Sequence, residues 1–130
     1  MNPGTAIYNL LKDSATVGQL IGNKIYPGII PDNIAYPAVT FSELSRRTID
    51  TKDGRIPTGD HSFDVDVFSC EYRQAQNIAD ACAAVLDNYA GTVGTVEIKR
   101  IRLEDQQDLP YEDEKDIFHI TQEYRIRVAE

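Results

Sequence analysis

Asp64 and Asp66 are the residues of this chain best spaced to do chemistry, two carboxylates in His61-Ser-Phe-Asp-Val-Asp-Val-Phe-Ser69. In an extended segment side chains alternate, so both carboxylates share one face, where they could hold a divalent cation for a hydrolytic reaction. Such sites need further oxygen or imidazole ligands converging on the ion, and no third ligand is placed there by the sequence. Solvated positions opposite Phe63, Val65 and Val67 account for the pair more simply. His61 and His119 are isolated in separate segments, on what reads as the polar side of each, with no nucleophile and orienting carboxylate beside them; they are expected to be exposed and idle. Cys70 and Cys82 are too far apart in sequence for a paired metal knuckle. A disulfide between them is open in principle, but two reduced, partly buried thiols are the expectation. Gly54 and Gly59 lie in a reversal and Gly91 and Gly94 follow a helix, so neither pair makes a phosphate loop. No catalytic, cofactor or metal site is therefore expected, and the chain reads as a non-enzyme.

Charge is the stronger signal. The net charge is −8, and most of it falls in one stretch: Glu104, Asp105, Asp108, Glu112, Asp113, Glu114 and Asp116 against a single Lys115. Such a run is either a solvated loop between two strands or an electrostatic docking surface. Counterparts exist in Arg46, Arg47, Lys52 and Arg55, and in Lys99, Arg100, Arg102, Arg125 and Arg127. Opposite patches on different parts of one protomer suit head-to-tail contacts, which close into rings when the rotation allows. An acidic chain without clustered phosphate-binding cations is a poor specific binder of nucleic acid. The scattered tyrosines make no basic-aromatic stripe for single strands.

The elements that must position these residues follow from periodicity. Phe63, Val65 and Val67 alternate with polar residues, which predicts a strand; Ala75, Ile78, Ala79, Cys82, Val85, Leu86 and Tyr89 recur at helical steps and predict a helix folded back over it. Asn2-Pro3 opens an earlier helix that breaks near Asp13-Ser14, where a second cap starts a short one ending at Gly22-Asn23. Pro27, Pro31 and Pro37 mark an ordered link. A strand from Ala38 is expected to pair antiparallel with the Phe63 strand, and the turn chemistry of residues 50–59 to leave a projecting arm from Arg46 to Asp60. A shift of apolar face from Val96 and Ile98 to Ile101 and Leu103 predicts a bulge near Lys99-Arg100. Phe118, Ile120, Tyr124, Ile126 and Val128 form the last strand, whose apolar side is broken at Gln122. The predicted fold is α+β, a mainly antiparallel sheet of about four strands with helices on one face, in the order α-(α)-β-β-α-β-β.

At 130 residues, 42% hydrophobic and 26% charged, the chain is expected to be a single domain over 1–130 with its own core. No apolar run approaches a membrane span, and no basic-then-apolar signal pattern opens the chain.

Taken in order, several stretches resemble a known family. These are Ile7 through Pro27 (with Val17-Gly-Gln-Leu-Ile and Lys24-Ile-Tyr-Pro), then Tyr36-Pro-Ala-Val-Thr-Phe41, Phe63-Asp-Val-Asp-Val-Phe68, the Tyr72–Leu86 helix, and an acidic reversal before Tyr124-Arg-Ile-Arg-Val128. The order is similar to that of the tail-completion, or tail-terminator, proteins of long-tailed bacteriophages. The resemblance implies a structural virion protein without cofactors, forming a homo-oligomeric ring, usually hexameric, on the head-proximal end of the tail tube. There such a protein ends tube polymerisation and meets the head connector; DNA only passes through, no membrane is involved, and assembly takes place in the host cytoplasm. Its contacts to itself, to the tube protein and to the connector would involve Arg46, Arg47, Lys52 and Arg55 of the arm and Glu104, Asp105, Asp108, Glu112, Asp113 and Glu114. The alternatives are a head-side connector or head-completion protein, a generic adaptor domain, or a small metal-dependent hydrolase using Asp64 and Asp66.

Overall fold

Pro3 opens helix α1 (Pro3–Lys12), where its missing N–H costs nothing. Ser14 caps helix α2 (Ala15–Ile21) by accepting a hydrogen bond from Val17 N at 3.3 Å, and Gly22 ends it at φ 66°. The chain then forms β1 (Ile25–Pro27), β2 (Ala38–Thr51), β3 (Gly54–Ser69), α3 (Tyr72–Leu86), β4 (Gly91–Val93), β5 (Val96–Leu109) and β6 (Phe118–Ala129). This is a computed structural model, and it describes residues 3–32, 34–51, 54–109 and 117–129.

The α+β class stands, but the sheet has six strands in the order β1-β2-β3-β6-β5-β4 rather than about four. Both added strands are three-residue edges. β1 runs parallel to β2, inside the stretch expected to be only link, and β4 forms a tight hairpin with β5 through Gly94, at φ 60°. All other pairings are antiparallel. The bulge expected near Lys99-Arg100 is present between Ile98 and Arg100, and a second interrupts Leu103 and Asp105.

Two expected loops are corrected to strand. The region read as turn chemistry over 50–59 is hairpin ladder: β2 and β3 stay paired to Thr51↔Gly54, beyond the point where β3 leaves β6 at Thr58↔Ala129. The first half of the acidic run, Glu104 to Leu109, is not a connecting loop but the end of β5, paired residue by residue with β6.

Every second residue of β3 and β6 turns inward beneath the helices. Phe63, Val65, Val67, Ile120, Tyr124 and Ile126 pack with Ile7, Leu11, Val17, Ile21, Ala75, Ile78, Ala79, Cys82 and Leu86 in one apolar cluster. Burying each large side chain contributes about 1.5–3 kcal/mol of transfer free energy. The strand-to-helix corner is pinned by Ser69, whose hydroxyl accepts from Glu71 N at 3.1 Å and donates to Gln74 Oε1 at 2.7 Å.

Gln122, the break in the apolar side, is fully buried and built into a network. It donates from Nε2 to Ala79 O at 2.9 Å and to Gln106 Oε1 at 2.8 Å, while Tyr124 donates its hydroxyl to Gln122 Oε1 at 2.8 Å. Both cysteines are free. Cys82 is buried and its thiol is pushed up to about 12 by that burial, whereas Cys70 is exposed rather than partly buried.

Candidate assembly face

The opposite face of the sheet carries the charge, and strand register sorts it into bands. At one end Arg100 stands opposite Arg127, and Arg102 opposite Arg125. In the middle Asp105 stands opposite Glu123, which in turn faces Asp64. One step further, Asp66 faces Thr121, and beyond it Phe68 faces His119. The bands exist because β5, β6 and β3 place most of their charged residues at alternate, outward positions, and the two β5 bulges keep those positions in phase.

Within the basic band, Arg100, Arg102, Arg125 and Arg127 line one cleft with Glu104, a space of about 250 Å³. Arg127 is held by Asp60 in a forked pair, Nε to Oδ1 at 2.9 Å and Nη2 to Oδ2 at 3.2 Å. Arg125 reaches Glu104 at 3.1 Å. Arg100 and Arg102 are exposed and make no ion pair among the described residues. Like charges directly opposite each other on adjacent strands are destabilising by roughly 0.2–1 kcal/mol per pair. Exposed ion pairs of this kind return little.

In the acidic band the Asp64 carboxyl lies above its ordinary value. Partial burial is the main cause, repulsion from Asp66 and Glu123 adds to it, and His119 opposes it. Asp66 is engaged by His119, whose Nε2 lies 2.8 Å from Asp66 Oδ1 and whose ring stacks on Phe68 at 4.3 Å. His119 is thus on the expected face but not idle. His61 contradicts the expectation outright: it is 2% exposed, with Nδ1 2.8 Å from Glu43 Oε1. Two residues before Phe63, it is in phase with the buried side of β3, so alternation alone carried the signal that was missed. Among the described residues no three His, Cys, Asp or Glu side chains come together to hold a metal ion.

The expected interface residues do not form one patch. Arg46, Arg47 and Arg55 lie in the β2–β3 ladder, opposite His61, Asp60 and Asp50. Glu104 and Asp105 reach the charged face, but Asp108 turns to the helix side, where it accepts a hydrogen bond from the Tyr72 hydroxyl. Lys52, Glu112, Asp113 and Glu114 lie outside the described residues. Glu123 and the opposition of arginine to arginine were missed, because cross-strand register cannot be read from one strand's periodicity.

Comparison with known proteins adds the context. No curated protein matches the chain. Among solved structures, a chain from the virion of a native gene transfer agent particle matches with a TM-score of 0.83, covering 98% of this chain and 95% of that chain at 19% identity. Identity that low speaks for a shared fold. The family model of the tail completion protein gp17 matches residues 5–129, nearly the whole length. With its α+β fold and that match, this chain belongs to the tail completion protein gp17 family and so to the structural proteins of phage-like tails.

Proposed function

We propose that this protein, working as one domain over 1–130, assembles into a ring at the head-proximal end of a phage tail tube, stops tube polymerisation there and presents a surface to the head connector. The observation that supports this most is the outer sheet face, whose like charges oppose each other within one copy. A face left partly unsatisfied in the single chain is what association with other copies, or with tube and connector proteins, would complete. In this reading the ring is hexameric, the 46–60 hairpin touches a neighbouring subunit or the tube, and carboxylates of the 104–116 run line the lumen or a subunit boundary. A lumen of that sign lets DNA pass without gripping its phosphates.

Electron microscopy of tails assembled with and without the protein tests the proposal. Overlong tubes in its absence are the expected result. Tubes of normal length that fail to join heads would move the protein to the connector side. Normal tubes joined to heads would overturn the proposal.

A further inference from the structure

We propose that the arginine cleft formed by Arg100, Arg102, Arg125 and Arg127 is a receptor for the acidic 110–116 segment of a second copy of this chain. The inference rests on the reading that copies assemble with one another, and names the contact that holds them.

Two observations carry it. The first is the state of the cleft. Arginine faces arginine at Arg100↔Arg127 and again at Arg102↔Arg125. Asp60 and Glu104 answer Arg127 and Arg125, while Arg100 and Arg102 make no ion pair among the described residues. The cleft therefore keeps two guanidinium groups whose planar donor forks suit carboxylates.

The second is reach. The segment carries Glu112, Asp113, Glu114 and Asp116 against Lys115, the densest run of carboxylates in the chain. Together with Ile117 it connects Leu109 to Phe118, whereas the cleft lies at the far end of the same β5–β6 ladder. From Leu109 to the level of Arg100 and Arg127 is about 27–30 Å at the ordinary rise of a strand. Eight connecting residues anchored at both ends extend at most about 14 Å from the ladder end, even fully stretched and folded back along it. The near side of the cleft, at Arg102↔Arg125, is about 20 Å from the ladder end and the far side about 27 Å, so both lie beyond the span of the connection, and a segment that fills the whole cleft comes from another copy. One copy then offers its ladder end to the next copy's cleft, a head-to-tail contact that repeats.

A nucleic-acid backbone is the other anion of suitable chemistry, and the face argues against it. Asp105 and Glu123 follow the cleft along β5 and β6, and Asp64 and Asp66 extend the acidic band beside them on β3. A strand of phosphates crossing the cleft would run over these carboxylates, while a short acidic peptide need not.

Charge exchange in the full chain tests the contact. One form carries Arg100→Glu and Arg102→Glu; the other carries Glu112→Lys, Asp113→Lys and Glu114→Lys. Each is supplied alone, and then both together, during tail assembly. Either form alone is expected on purified tails at about a tenth of the wild-type amount or less, and the two together are expected to restore it, because each reversed group then meets a reversed partner. Wild-type retention of either form alone, or no rescue by the pair, overturns the proposal. Melting curves that match wild type establish that both forms fold.

A second readout does not depend on tails. A fluorescent peptide of residues 109–118 is expected to bind the wild-type chain about tenfold more tightly than the Arg100→Glu, Arg102→Glu form, with affinity falling as salt rises. Equal binding overturns the proposal, as does a DNA duplex that occupies the cleft more tightly than the peptide. Wild-type protein missing from tails would instead count against the proposed function, and the peptide would still judge the cleft.

Discussion

One sheet presents two faces governed by different rules. On the inner face the large apolar side chains pack within the chain: Phe63, Tyr124 and Ile120 lie against the helices, and Gln122, the one buried amide side chain among the described residues, is bonded to Ala79, Gln106 and Tyr124. On the outer face carboxylate meets carboxylate at Asp64↔Glu123 and guanidinium meets guanidinium at Arg102↔Arg125. The inner face lowers the energy of the single chain. The outer face raises it slightly, and so stores a preference for company. In the proposed reading stability and assembly are written on opposite sides of the same strands, and substitutions should separate them.

The largest effect is expected inside. Phe63→Ala should cost about 3–4 kcal/mol by removing a fully packed ring from beneath α3, read as a lower urea midpoint. A loss below about 1 kcal/mol would break the contrast between the faces. Gln122→Leu tests the polar centre of that face. It deprives the Tyr124 hydroxyl of its acceptor and should cost about 2 kcal/mol, despite the gain in apolar character. Outside, the sign should reverse. Arg102→Gln removes one member of an opposed pair and should stabilise the isolated chain by about 0.5 kcal/mol, while its retention on tails falls. The smallest effect is expected at Asp64→Asn, a gain of about 0.3 kcal/mol at neutral pH. Because the folded-state value of Asp64 is raised, its ionised form weakens the fold above that value and the penalty is relieved as pH falls through it. The advantage of Asn should therefore be full at neutral pH and disappear below the ordinary value of 3.8. Melting temperatures of both forms across that range measure it.

How much of this was legible in the sequence depends on which physical signal each element carries. β6, β3 and α3 declare themselves because one side of each is apolar, and burial enforces the period. The Lys99-Arg100 bulge was legible as a change of apolar phase within one strand. β1 and β4 were not, since three residues hold no period and the parallel pairing of β1 depends on where α2 ends. Glu104–Leu109 hid as loop because its inward positions are Gln106 and Asp108, which bond to the buried Gln122 and to the exposed Tyr72 rather than fill the core. The charged outer face was legible only as composition. Its arginines and carboxylates were visible, but their opposition arises from register between strands far apart in sequence.

The two bulges of β5 have a consequence for how this segment can change over time. Ile98 and Ile101 both point inward only because one extra residue lies between them, and that same residue turns Arg100 and Arg102 outward. Exchanging an arginine alters one charge and leaves the rest of the strand as it was. Losing one residue between Ile98 and Arg100 would invert every following position, bringing guanidinium groups into the core and isoleucine to the surface. Drift here should therefore proceed by replacement and never by gaps: relatives aligned over Ile98–Asp105 should differ at the outward positions, keep apolar residues at Ile98 and Ile101, and agree in length.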